Sequence, residues 1–493
     1  MKASNFISLL GAGGMLSMVM MACSGEHPTV PLPGRQLAAG ASRLTADDKI
    51  VVCHMGDDGP ALIEVAAQAR QAHINHGDYI ARFAVDNTVG DVGDGIHFGR
   101  IGDAIAAARA IRIARNEQLA GACRITIDVA PGSYRGVPAG NPAVEEAFPL
   151  IIDVPDITLH GSLNMQIDAG GRATGQGETD EVSTLTPTAP LVSQAQLSWP
   201  IIVINGHPNG FAGNGTVIEG LAFQSGHVAA EEFGGLAIFS LRVSGVVISG
   251  NRFEGGFSES VDLRATSARV DHNYLSGGGV TCDLCLAGPG DYSAEGNRLQ
   301  SGGIPGFLIV PATRIPVVPA VEQWDAPASA TVTATVVNNE VRNHLRKPVG
   351  VGIRIGAIGV GAPNVAGFSH VEARDNLLVG NNFAMIVEAA FPVANTLLRG
   401  DVELILHGNT FVSSCQNAML VSLSRHTTGL GLANAPYMRN SSYNLSLGGD
   451  IAWDDVWVSH PAGFGNTLTV DGVEIPNVQR TAYDANRVCA PIP

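Results

Sequence analysis

Lysine is almost missing from this 493-residue chain: Lys2, Lys49 and Lys347 are the only three, against 26 arginines. Charged residues make up only 15 %, the net charge is −16, and no sustained basic run occurs, which argues against a nucleic-acid partner. After residue 22 no apolar stretch is long enough to span a bilayer. No Gly-x-Ser-x-Gly elbow, Walker loop or His-Glu-x-x-His is present, which disfavours serine hydrolase, nucleotide-binding and zincin readings. What is abundant is small and apolar: 45 % hydrophobic residues with Gly 60 and Pro 27. That composition fits neither disorder nor a coiled coil, and the length suits several domains or one elongated repeat fold.

The first 22 residues read as an export signal, with Met1-Lys2 followed by an acid-free apolar run to Ala22. Met20-Met21-Ala22-Cys23 resembles the lipobox of bacterial lipoproteins. That resemblance implies lipidation of Cys23, and Ser24 in place of Asp implies delivery to the outer membrane or cell surface. Residues 23–48, with Pro28, Pro31, Pro33 and Gly34, read as a tether. Export makes disulfides the default for Cys53, Cys123, Cys282, Cys285, Cys415 and Cys489, whose pairing the sequence leaves open. Cys282 and Cys285 form a lone CxxC, which suits a local disulfide better than zinc.

Residues 49–95 read as a His/Cys module. Cys53-His54 is followed by Gly56-Asp57-Asp58-Gly59-Pro60 and then by His73-Ile-Asn-His76-Gly77-Asp78. This resembles a short module, opened by Cys-His and closed by HxxHGD, that recurs in exported bacterial proteins. Cys53, His54, His73 and His76 are candidate ligands for a transition metal, zinc or copper. The competing reading pairs Cys53 with Cys123 and leaves the histidines structural. Helices are expected over Ala61 to Ala72 and Ile101 to Leu119, the second with Arg109, Arg112 and Arg115 on a face away from its apolar one. Short strands are expected within Arg124 to Tyr134 and Leu150 to Leu159.

From residue 216 the chain repeats a unit: apolar residue, small or polar residues, Asn, any residue, apolar residue. The asparagines are Asn251, Asn273, Asn297, Asn339, Asn376 and Asn409, at intervals of 22, 24, 42, 37 and 33 residues, with a degenerate copy at Val217–Phe223. The short intervals fit one turn of a parallel β-helix and the long ones a turn plus a loop. An Asn at each corner tolerates left-handed backbone and can bond the Asn of the next coil. Excursions at Gly170–Pro190, Asn205–Gly215, Ile304–Ala330 and 348–368 can wall a groove. On this pattern residues 96–489 resemble the right-handed parallel β-helix superfamily of pectin-lyase-like proteins, an all-β solenoid with an N-terminal helical cap.

That resemblance names a fold and not a reaction. Two residues before each ladder Asn lies the row Ser249, Asp271, Glu295, Val337, Arg374 and His407. Asp271 and Glu295 on adjacent coils can share a Ca²⁺, and with Arg298, or else Arg264 or Arg269, they supply the acid, base and cation of a polysaccharide lyase. The paired-Asp motifs of polygalacturonases, the signatures of pectin methylesterases and the Asp-Pro-His-Asp run of alginate epimerases are missing. Gly56-Asp57-Asp58 lies outside the coils, Val270-Asp-His-Asn273 only faintly echoes pectate lyases, and Lys347 is the one lysine in the coils. Arg342 to Lys347 is the single basic cluster that could grip an anionic sugar. The expected function is a lipid-anchored protein that binds, and as a lyase would cleave, an acidic polysaccharide. The alternative is a non-catalytic adhesin or scaffold.

Overall fold

A computed structural model describes residues 48–480, apart from 116–122, 139–144, 178–180, 189–199, 206–211, 226–233, 278–281, 301–304, 312–328, 346–349, 358–365, 389–398, 416–417, 424–437 and 461; residue 491 is also described. The signal, Cys23, the tether and Cys489 lie outside the described residues, as do Lys347 and much of the excursions.

The chain winds into a right-handed parallel β-helix whose coils contribute strands to sheets of fourteen, ten and eleven strands. Pairing is parallel from coil to coil, as in Val246–Ser249 on Ala268–Asp271 on Gly290–Glu295. Each coil therefore satisfies its backbone through its neighbours, as in other solenoids. The reason for the repeat is visible in the ten-stranded sheet. The apolar residue two past each Asn points inward and stacks one per coil: Phe253, Leu275, Leu299, Val341, Leu378 and Phe411. Earlier coils extend the column through Tyr134, Leu185 and Phe223, and the Phe223 and Phe253 rings lie parallel at 4.8 Å.

The corner asparagines form an unbroken ladder. Asn251, Asn273, Asn297, Asn339 and Asn376 each donate a side-chain N–H to the Oδ1 of the next Asn, at 2.8–3.1 Å, and Asn409 donates to Asp450 at 2.7 Å. Each Oδ1 also takes the backbone N–H of the preceding coil's corner, and in the degenerate copy Leu221 still donates its amide to Asn251. The left-handed backbone falls one residue earlier than expected. Gly250, His272, Gly296, Asn338, Asp375 and Gly408 have φ of 53–70°, so the Asn is retained for its amide and not for its torsion.

At the N-terminal end, Ile101–Ala114 is the expected cap helix. Its first amides, Ile101 and Gly102, donate to the Glu146 carboxylate, which replaces a local cap. Arg112 is fully buried, contrary to the expected polar face. It donates to Tyr79 Oη and the carbonyls of Pro155 and Cys123, tying cap, module and first coil together. The helix expected at Ala61–Ala72 is instead mostly the strand Gly59–Ala66, paired antiparallel with Lys49–Gly56; only Ala67–Ala69 and Arg70–Asn75 are helical. The fourteen-stranded sheet already includes Arg82–Val85, so the solenoid begins inside the module's 49–95 span. Cys53 is disulfide-bonded to Cys123 and Cys282 to Cys285, and Cys415 is also disulfide-bonded.

Candidate functional site

The three sheets differ in what covers them. The fourteen-stranded sheet alternates buried and accessible residues, the pattern of a sheet with one face open to water. Its outward row runs Asp128, His160, Glu219, Ser249, Asp271, Glu295, Val337, Arg374 and His407, in register from coil to coil. At its N-terminal end a cleft of about 810 Å³ opens against the module, lined by Lys49, Glu64, Arg82, His97, Asp128 and His160 among others.

Asp271 and Glu295 are direct neighbours in that row. Glu295 is exposed, whereas Asp271 is nearly buried. One Asp271 oxygen accepts from the Ser249 hydroxyl at 2.9 Å and lies 3.2 Å from His272 Nδ1; the other is 3.1 Å from Arg269 Nε. An arginine and an imidazole thus already engage the Asp271 carboxylate that a shared Ca²⁺ would need.

Arg298 does not join them. Asn297 turns the corner between, so Arg298 emerges on the ten-stranded sheet, where it binds Glu340 at 2.8 Å and Asp168 at 2.5 Å. Asp168 belongs to an antiparallel hairpin, Met165–Ile167 with Ala173–Gly177, that lies as a strap over the corner. The Ala173 amide donates to Gly296, Arg172 to the carbonyls of Asn338 and Asp375, and Asn338 back to Gly170. The excursion read as a groove wall is here a clamp, and Ser183–Pro187 is an ordinary coil strand of the ten-stranded sheet. Although burial opposes it, the Arg172 amide and the Arg298 charge hold the Asp168 carboxyl below its usual range.

The eleven-stranded sheet is buried on both faces. Its outward side carries ion pairs: Arg264 with Asp262 at 2.5 Å and Glu259 at 3.5 Å, and Arg354 with Glu388, both fully buried. Arg264 also lies over the Phe239 ring at 5.7 Å. Arg264, a candidate for the lyase face, is therefore committed to a different sheet. Inside the coil, His344 Nε2 meets Asp283 at 2.8 Å, both fully buried.

In the module, Cys53 is spent on its disulfide and His76 is exposed beyond the short helix, so two of the four expected metal ligands fall away. The other two converge on a residue that the ligand set omitted. His54 Nδ1 lies 2.9 Å, and His73 Nδ1 2.7 Å, from Asp78 Oδ2, while the Met55 amide donates to Oδ1 at 2.9 Å. Burial pushes the Asp78 carboxyl up, but bonds from His54, the Met55 amide and His73 outweigh it and hold the group well below the usual carboxylate range. The closing His-Gly-Asp of the module was the available signal for this aspartate.

No family model matches the chain, and no curated protein matches it by sequence. Solved structures similar to it include a DFA-IIIase from Arthrobacter chlorophenolicus in complex with GF2, at 12 % identity and a TM-score of 0.39, covering 80 % of this chain and 94 % of that one. Another is the A-module of an Azotobacter vinelandii mannuronan C-5 epimerase, at 13 % identity and a TM-score of 0.39, covering 81 % and 100 %.

Proposed function

We propose that this is an exported protein, lipid-anchored through Cys23 at the outer membrane or cell surface, that binds an acidic polysaccharide along the open face of the fourteen-stranded sheet. The observation that carries the reading is the contrast in cover. Unlike the eleven-stranded sheet, this sheet presents accessible polar side chains in register over the length of the coil stack, repeating at the coil spacing of about 4.8 Å. Arg269 and Arg374 are cations on that face that can meet uronate carboxylates, His407 adds an imidazole beside them, and the cleft beside Arg82 offers room for a chain end.

Lyase-type cleavage is the second reading. Its support is the neighbouring Arg269, Asp271 and Glu295, with Arg269 supplying the cation in place of Arg298. Because Asp271 is engaged by three groups, binding without cleavage is favoured, as in an adhesin.

The test is to titrate the purified chain against polygalacturonate, alginate and glycosaminoglycans while recording the absorbance of unsaturated product. Binding that weakens about tenfold in Arg269→Ala with Arg374→Ala, without absorbance, establishes the binding reading. An absorbance signal lost in Asp271→Asn establishes a lyase. Neither binding nor product across the panel overturns both.

A further inference from the structure

Independently of any glycan, the module's three converging side chains carry an inference of their own. We propose that His54 Nδ1, His73 Nδ1 and Asp78 Oδ2 form a binding site for a divalent transition-metal ion of the zinc type, with its remaining coordination open to solvent. Two imidazole nitrogens and one carboxylate suit borderline divalent ions, and three protein ligands with an open position are the pattern of accessible zinc sites.

The three residues come from separate segments that the fold brings together. His54 lies on the strand Lys49–Gly56, His73 on the helix Arg70–Asn75, and Asp78 just before the strand Tyr79–Ile80. His54 and Asp78 are also held from outside the cluster. His54 follows Cys53, whose disulfide fixes it to Cys123 beside the first coil. The Asp78 backbone amide bonds the His73 carbonyl, and Asp78 Oδ1 is occupied by the Met55 amide, leaving Oδ2 for the two rings. The rings stand edge to face at 6.1 Å, converging on one oxygen instead of stacking.

The chemistry of the exchange is balanced without a co-reactant. Asp78 is ionised and can only accept, so in the metal-free site each ring places its proton on Nδ1. A metal replaces both hydrogen bonds when each ring carries its proton on Nε2 and turns its Nδ1 lone pair to the ion. The rings can exchange that proton with water, because their side chains are 44 % and 23 % exposed, while Asp78 is 1 % exposed. The donor atoms stand at hydrogen-bond distances of 2.7 and 2.9 Å. A tetrahedral ion with ligands at ~2.1 Å needs each nitrogen about 3.4 Å from the oxygen, a widening of about 0.5–0.7 Å. Cys53 and His76 have no part in the site.

The test is calorimetric titration of the full chain, stripped with a chelator, using zinc sulfate in one arm and copper(II) sulfate in the other. We expect one ion per chain, a melting temperature raised by the ion, and ¹⁵N histidine signals that move from the Nδ1–H to the Nε2–H tautomer on loading. Asp78→Asn and His54→Gln should each weaken binding at least tenfold, whereas His76→Gln should leave it unchanged. If Asp78→Asn fails to fold, His54→Gln decides, since that ring is nearly half exposed. No saturable heat with either ion, or equal loss in His76→Gln, overturns the proposal and leaves the cluster a hydrogen-bonded clasp.

Discussion

On the eleven-stranded sheet Arg354 meets Glu388 with both side chains wholly buried, while on the fourteen-stranded sheet Arg374 meets Glu372 at 3.1 Å with side chains 43 % and 34 % exposed. The same residue types on neighbouring coils therefore do different work. A buried pair has lost its water and depends on its partner, whereas an exposed pair keeps its water and can exchange its partner for a ligand. Candidate binding residues belong on the second kind of surface. Searching for charge alone cannot tell the two apart.

The sharpest way to break the contrast is to remove one arginine from each face. Arg354→Met leaves the Glu388 carboxylate buried without its arginine and should cost about 3–5 kcal/mol in urea unfolding. Arg374→Ala should cost less than about 1 kcal/mol. Arg354→Met combined with Glu388→Leu should recover most of the loss, because a buried pair adds little over well-packed apolar side chains. Similar costs for the two single variants would erase the distinction between the faces.

Next in size is the ladder. Asn297 joins three coils: its side chain donates to Val270 and Asn339, and its Oδ1 accepts both the backbone and side-chain N–H of Asn273. Asn297→Leu matches its bulk roughly but leaves buried donors unpaired, for an expected cost of about 3 kcal/mol. Asn409, which stands near the end of the ladder and is 8 % exposed, should cost visibly less on the same substitution. Equal costs would mean that the corner amides act singly and not as a column.

How far the sequence is readable follows the same division. The solenoid is legible because its repeat is local: Asn251, Phe253 and their copies report their own corner whatever lies elsewhere. The outward row through Asp271 and Glu295 is legible for the same reason, since strand register carries two-residue periodicity faithfully. Arg298 is misplaced because counting past Asn297 crosses, onto another sheet, the very corner that this Asn marks. Arg112 looks solvent-facing by helical spacing, yet its partners are backbone carbonyls of the first coil, invisible in composition. Gly59–Ala66 has helix-forming residues, but pairing with Lys49–Gly56 overrides that preference. Asp78 was in view in the closing motif, but its role depends on the return of His54 from the preceding hairpin.

The strap lies between the two extremes and sharpens the contrast. Arg298 is 20 % exposed, Glu340 4 % and Asp168 29 %, so the outer half of this triad is wet and the inner half dry. The folded-state pKa of Asp168 lies below its unfolded value, so its stabilisation is fully present above the ordinary carboxylate range near ~4 and is lost as pH falls through the lowered value. Partial exposure discounts the contribution to about 1 kcal/mol, roughly a fivefold change in opening. Hydrogen exchange at the Ala173 amide, which bonds Gly296, should therefore lose about fivefold protection on acidification, while the Asn297 amide inside the ladder holds. In Asp168→Asn the Ala173 amide should start less protected, and its pH dependence should disappear. Simultaneous loss at Ala173 and Asn297 would show that the strap opens only with the coil beneath it, and the intermediate character assigned to this surface would be wrong.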